Sequence, residues 1–153
     1  MSKNGGPLLV IVPAYNEEAT VGDVVRSLRR LLGPTPVMVI DDGSADGTHQ
    51  AARDAGAELL RLPHHLGLGG AVQTGYRFAF EHGFDCVVRV DSDGQHNPAD
   101  IPKLLDKLRA DGFDMVTGSR FLKPDGYEVQ WLRRFGGLLF SALLYPILGK
   151  RIT

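Results

Sequence analysis

Val87-Val88-Arg89-Val90-Asp91-Ser92-Asp93-Gly94-Gln95-His96 sets the reading of the whole chain. A short apolar run reads as a buried strand, and it stops at two acids one residue apart, a glycine and a polar tail. At an effective dielectric of about 20, two unit charges roughly 4 Å apart repel by about 4 kcal/mol. Separate solvation, hydrogen bonds or a divalent cation must offset that repulsion. A hard cation such as Mg2+ or Mn2+ takes a few protein oxygens and completes its shell with water and substrate phosphates. On this reading Asp91 and Asp93 hold the metal against a nucleotide diphosphate, with Gln95 as a neutral oxygen ligand. The competing reading is an aspartate-rich turn with solvated carboxylates.

The rest of the chain places this stretch in a pattern. Leu8 to Val12 reads as a buried strand, interrupted by Pro13-Ala14-Tyr15-Asn16-Glu17-Glu18. Val21, Val24, Val25, Leu28, Leu31 and Leu32 recur at helical spacing, and Gly33-Pro34 ends that helix. Val37 to Ile40 is a second strand, stopping at Asp41-Asp42-Gly43-Ser44. A short helix from near Asp46, a weaker strand over Glu58 to Leu62, and a glycine-rich loop, His64 to Gly70, opening a further helix come next. Cys86 to Val90 is the strand before the acids. Asn97 as N-cap and Pro98 at the first helical position then start a helix whose buried stripe is Ile101, Leu104, Leu105 and Leu108, closed by Gly112. Met115 to Thr117 is expected as a last strand, ending at Gly118-Ser119-Arg120.

Strand and helix alternate throughout, which predicts an α/β fold: an open, mostly parallel, Rossmann-like sheet with helices on both faces. The polar segments each follow a strand. In such sheets ligands bind outside the carboxyl ends of the strands, so these segments converge on one rim. That convergence favours the metal and nucleotide over the plain turn.

Composition narrows the classes. With 153 residues the chain suits one domain, residues 1–153, with one sizeable core. Hydrophobic residues make up 43% and charged residues 23%, as in soluble globular proteins. A formal net charge of -1 gives no global field for nucleic acid, and no nucleic-acid partner is expected. The single cysteine, Cys86, excludes an internal disulfide and fits a reducing compartment, as a buried core thiol. Met1 to Pro7 is polar and carries no secretion signal, so a cytoplasmic location is expected.

Familiar motifs fail on inspection. Gly67-Leu68-Gly69-Gly70-Ala71-Val72 lacks the third glycine of a dinucleotide fingerprint, and no Gly-Lys-Ser/Thr ending makes a P-loop. The segment from Asp42 imitates an EF-hand loop but has Arg53 at the twelfth position, where a bidentate Glu is needed. No His/Cys spacing suits zinc. Of His64 and His65, one could sit in the site; both could equally be plain loop residues.

Taken together, Val12-Pro13-Ala14-Tyr15-Asn16-Glu17-Glu18, Asp41-Asp42-Gly43-Ser44-Ala45-Asp46-Gly47-Thr48, Asp91-Ser92-Asp93-Gly94-Gln95-His96 and Gly118-Ser119-Arg120-Phe121 closely resemble the family 2 glycosyltransferases. Within that family the chain looks most like the dolichyl- or polyprenyl-phosphate sugar transferases, from about Leu8 to its end. The resemblance implies a GT-A fold, a UDP- or GDP-sugar donor, Mg2+ or Mn2+, and inverting transfer to a polyprenyl or dolichyl phosphate. The alternatives are a glycan hydroxyl or small phosphorylated acid as acceptor, or an incomplete nucleotide-sugar-binding module that needs a partner. By position, Pro13, Ala14, Tyr15 and Glu17 would contact base and ribose. Ile40 and Asp42 would complete the base pocket, with Asp41 as the alternative to Asp42. Asp91, Ser92, Asp93 and Gln95 would serve metal and diphosphate, Asp93 and Arg120 would be catalytic, and Arg120 and Arg134 would face phosphate or acceptor. A lipid phosphate is already an anionic nucleophile and needs no base. It needs cations, and Arg120, Lys123, Arg133 and Arg134 cluster in the right region.

Phe135 to Leu148 is apolar on all sides but too short to span a membrane, and it carries Pro146. With Trp131, Arg133 and Arg134 ahead of it, it reads either as an interfacial helix near a lipid acceptor or as a core or oligomer-contact helix. The first option places the protein peripherally at the cytoplasmic membrane face; the second leaves open a homo-oligomer or partner chain. Members of the resembled family continue past the point where Lys150-Arg151-Ile152-Thr153 ends, so a truncated acceptor side is expected.

Overall fold

The computed structural model describes residues 6–118. The readings on Ser119, Arg120, Lys123, Arg133, Arg134 and the Trp131–Leu148 stretch lie outside those residues. Strands β1 (Leu8–Ala14), β2 (Val37–Asp41), β3 (Glu58–Arg61) and β4 (Cys86–Arg89) form one sheet in the order β3-β2-β1-β4. Every pair is parallel, with Val10 opposite Val37, Leu8 opposite Cys86 and Met38 opposite Glu58. Helices α1 (Val21–Leu32), α2 (Thr48–Asp54) and α3 (Gly67–Glu81) connect them, and a 3-10 turn at Pro98–Asp100 leads into α4 (Ile101–Ala110).

Side chains alternate across a strand, so each strand feeds two cores. Val10, Val12, Val37 and Val39 pack with Val21, Val25 and Leu28 of α1, Ala52 of α2 and Ile101 of α4. Leu9, Ile11, Met38 and Ile40 point the other way, onto Ala71 and Ala79 of α3. Helices therefore cover both faces, as the alternating pattern requires. On the α3 face the approach is close: a Cβ on Gly75 would stand 2.5 Å from Ile40 Cδ1 and 3.0 Å from Ile11 Cδ1. Among the described residues no helix is long and apolar enough to cross a membrane.

Some boundaries differ from expectation. β1 runs through Pro13 to Ala14. Backbone groups of Val10 and Ala14 bond towards β2, and Ile11 O accepts from Val90 N on the β4 side. Pro13 therefore faces the β4 side, where that strand has already ended, and its missing N–H leaves no gap in the β1–β2 ladder. α3 begins inside the glycine-rich loop, at Gly67. Met115 to Thr117 forms no strand: β4 has no second ladder partner among the described residues, and Met115 is exposed. Cys86 is half-buried instead of deep in the core; burial, with Asp85 beside it, pushes its thiol up.

Candidate active site

The order β3-β2-β1-β4 puts a topological switch between β1 and β4, and the polar segments emerge at the carboxyl edge beside it. Two of them are laced together. Backbone N–H groups of Asn16, Glu17 and Glu18 donate to Ser44 Oγ (2.9 Å), Thr48 Oγ1 (2.8 Å) and Asp46 Oδ2 (3.2 Å). In return Ala45 N donates to Asn16 Oδ1 (2.9 Å) and Gly47 N to Glu18 Oε2 (3.0 Å). Short polar side chains here satisfy loop backbone that no helix or ladder could serve. Asn16 holds a left-handed conformation, φ 55°, which Asn tolerates better than most residues. Partial desolvation, the largest single effect on Asp46, pushes its carboxyl up; hydrogen bonds from the Thr48 hydroxyl, Thr48 N–H and Glu18 N–H together outweigh it and hold the carboxyl below its ordinary value.

The same edge holds a buried acidic pair. Asp41, fully buried, accepts from Ser44 N (2.9 Å), and its Oδ2 lies 3.2 Å from Arg61 Nε. Asp42, 2% exposed, accepts at Oδ1 from Leu66 N (2.7 Å), and its Oδ2 lies 2.9 Å from His65 Nδ1. Both contacts have ion-pair distance but not hydrogen-bond direction, so each Oδ2 is buried without a directed donor. The His65 ring stacks on Tyr15, with centroids 3.8 Å apart and planes at 28°. Gly43 makes this possible: its φ is 73°, and a Cβ there would meet His64 C at 2.8 Å and His65 N at 2.9 Å.

The structure thus brings Tyr15, Asp42 and His65 together from the ends of β1, β2 and β3. Of the two acids, Asp41 is fully buried against the Arg61 guanidinium, and Asp42 is the one beside His65. Glu17 lies in the turn that leads into α1, its carbonyl accepting from Thr20 N and Val21 N. Its Oε2 accepts from the Thr20 hydroxyl (2.7 Å), and its Oε1 takes no hydrogen bond among the described residues. Pro13 and Ala14 are buried, Ala14 O accepting from Asp42 N. Ile40 has no exposed surface and packs in the core on the α3 face of the sheet.

Beyond β4 the acids are arranged differently. Arg89 Nε and Nη2 both reach Asp91 Oδ1, at 3.0 and 2.7 Å, and His96 Nε2 stands 3.8 Å from Asp91 Oδ2. Ser92 is buried, while Gln95 is exposed. Asp93 is exposed; its Oδ1 accepts from Gln95 N (2.9 Å), and its Oδ2 has no hydrogen bond or ion pair among the described residues. No group of three or more His, Cys, Asp or Glu residues stands ready to cage a metal among the described residues. An exposed carboxylate with hard oxygen neighbours still suits Mg2+ or Mn2+, which bind through one or two carboxylates plus phosphate and water.

Sequence reasoning missed the Asn16, Glu18, Ser44, Asp46 and Thr48 lacing and the Arg61 staple, and left His65 open. The signal was present in the two loops: runs of Asx, Ser and Thr beside glycines, the residues that bond neighbouring backbone.

This is an open α/β protein with its polar loops at the carboxyl edge, of the GT-A class. Its structure is similar to that of glucosyl-3-phosphoglycerate synthase from Mycobacterium tuberculosis in complex with Mn2+, UDP and phosphoglyceric acid, with a TM-score of 0.69 and 29% identity over 95% of this chain and 51% of that one. The model of glycosyl transferase family 2 matches residues 9–152, and the chain belongs to that family. It is 36% identical to the undecaprenyl-phosphate mannosyltransferase of Micrococcus luteus, over 95% of this chain and 62% of that protein. It is 30% identical to the UDP-N-acetylglucosamine–dolichyl-phosphate N-acetylglucosaminyltransferase of Methanococcus voltae, over 95% and 65%. The chain therefore spans just under two thirds of the length of these relatives.

Proposed function

We propose that this chain is the donor-binding part of an inverting, metal-assisted glycosyltransferase that moves a sugar from UDP or GDP to a polyprenyl phosphate. The observation that carries the proposal is the buried Asp42 Oδ2, without a directed donor, next to the His65 ring that stacks on Tyr15 at the carboxyl edge. A flat ring that stacks on Tyr15 and turns a ring N–H to that oxygen meets both features. Uracil and guanine carry such an N–H, whereas adenine and cytosine in a nucleotide do not. Glu17 Oε1, which takes no hydrogen bond among the described residues, would accept from ribose hydroxyls. The named relatives support the lipid-phosphate acceptor.

Asp93, with Asp91 and Gln95, would hold Mg2+ or Mn2+, which when bound stabilises negative charge on the leaving diphosphate. Arg89 pairs with Asp91, and a cation would compete with that guanidinium. Arg120 and Arg134 take the acceptor phosphate in this proposal; they rest on the family resemblance. The protein acts at the cytoplasmic face of the membrane, where the lipid phosphate is presented.

A second reading has one specific support: the structural neighbour bound to phosphoglyceric acid, which favours a small phosphorylated acid as acceptor. The deciding experiment offers labelled UDP- and GDP-sugars with Mn2+ to polyprenyl phosphate and, separately, to phosphoglyceric acid. Label in the lipid phase is expected. Label only in the acid would replace the first reading with the second. Metal-dependent nucleotide binding with no transfer would leave a binding module that needs the remaining acceptor side from elsewhere.

A further inference from the structure

The base pocket proposed above is already filled by a side chain of the protein. His65 lies flat on Tyr15, 3.8 Å between centroids, and puts Nδ1 2.9 Å from Asp42 Oδ2. A nucleobase on Tyr15 would use the same two features. With ring centroids that close, no base enters between Tyr15 and His65 unless the imidazole moves.

The backbone around His65 is fixed on two sides. Gly43 packs against the His64–His65 backbone, and Leu66 N donates to Asp42 Oδ1 at 2.7 Å. The imidazole is not so confined: its side chain is 48% exposed. Rotation about its own χ1 can carry it into water while the loop stays in place. The imidazole covers Asp42 Oδ2 at 2.9 Å without a directed hydrogen bond to it, its Nδ1 also lying 3.3 Å from Asp42 O. A base that turns an N–H to that oxygen would supply the directed bond a buried acceptor needs.

We propose that His65 is a built-in competitor for the nucleobase: any ring that stacks on Tyr15 beside Asp42 must first displace the imidazole. The proposal rests on the reading of Tyr15 and Asp42 as the base pocket. Its consequence is a uniform cost: every base that stacks on Tyr15 gives up the same imidazole contact, whichever base it is. Removing the imidazole should strengthen binding of every nucleotide by about the same factor and leave the gap between UDP or GDP and ADP or CDP unchanged.

The test is calorimetric titration of the 153-residue chain with UDP, GDP, ADP and CDP in the presence of Mn2+. His65→Ala should bind the preferred nucleotide roughly three- to tenfold more tightly, the scale of one aromatic contact. His65→Phe, which keeps the stack without Nδ1, should fall between Ala and wild type, and His64→Ala should match wild type. In wild type, the His65 ring protons should lose the ring-current shift from Tyr15 on nucleotide addition. Unchanged or weaker binding by His65→Ala, or a His65 signal that does not move, overturns the proposal. Asp42→Asn and Tyr15→Ala separate that failure from failure of the pocket: if both bind nucleotide as wild type does, the base-pocket reading is wrong and the proposal falls with it.

Discussion

The two halves of the carboxyl edge are built in opposite ways. On the β1–β2 side, loops 16–18 and 44–48 exchange backbone-to-side-chain hydrogen bonds in both directions, and buried Thr48 and Ser44 anchor them. Beyond β4, Asp93 is tied among the described residues only to its own turn through Gln95 N, and Asp91 is turned back onto Arg89 of its own strand. No hydrogen bond or ion pair joins Asp93 to Tyr15 or Asp42 among the described residues. The contrast teaches which half can recognise a ligand unaided. The first half holds its geometry through its own hydrogen bonds; the second has hard oxygen donors which, under the proposed function, a cation and a diphosphate would gather.

That division predicts separable losses. The largest is expected for Asp93→Ala: metal-dependent binding of UDP or GDP should vanish in calorimetry, while uridine or guanosine still binds as to wild type. Unchanged diphosphate binding would remove Asp93 from the metal site. Next comes Thr48→Ala, which strips the acceptor for Glu17 N–H from a fully buried position. An orphaned buried donor costs about 1–3 kcal/mol. Urea unfolding should show that loss, and nucleoside affinity should fall with it, whereas Thr48→Ser should restore both. A Thr48→Ala protein that lost diphosphate binding yet bound nucleoside normally would break the contrast. The smallest effect concerns pH. The Asp46 carboxyl lies below its ordinary value of 3.8 in the folded chain. It therefore contributes stability above that pH, and the contribution is lost as pH falls through the folded value. In Asp46→Asn this part of the acid dependence should disappear; the acid limb of a thermal-shift profile reads it.

How much of this was legible in the sequence follows the same line. The parallel sheet was, because Leu8–Val12, Val37–Ile40 and Cys86–Val90 are apolar runs separated by helical periodicity. Its edges were less so. Pro13 reads locally as a strand breaker, yet its missing donor faces the side where β4 has ended, a fact of register that no local pattern carries. Met115–Thr117 has strand character without a ladder partner among the described residues, and pairing decides a strand. In the site, Tyr15 and Asp42 stood out by type and position. His65 did not: two adjacent loop histidines look alike until Gly43 brings the loop against β2 and one ring lands on Tyr15. Ile40, adjacent to the acids in sequence, lies under α3 because strand side chains alternate.

The central claim is that one ligand bridges the two halves, its base at Tyr15 and Asp42 and its diphosphate at Asp93. The most direct measurement is paramagnetic broadening by Mn2+ in amide NMR spectra, with and without UDP or GDP. The account predicts that nucleotide sharply increases broadening at Asp93, Gly94 and Gln95, while the Tyr15 and Leu66 signals shift on binding of the same ligand. Broadening centred away from the Asp93 turn, or nucleotide shifts that leave Tyr15 and Leu66 untouched, would contradict it.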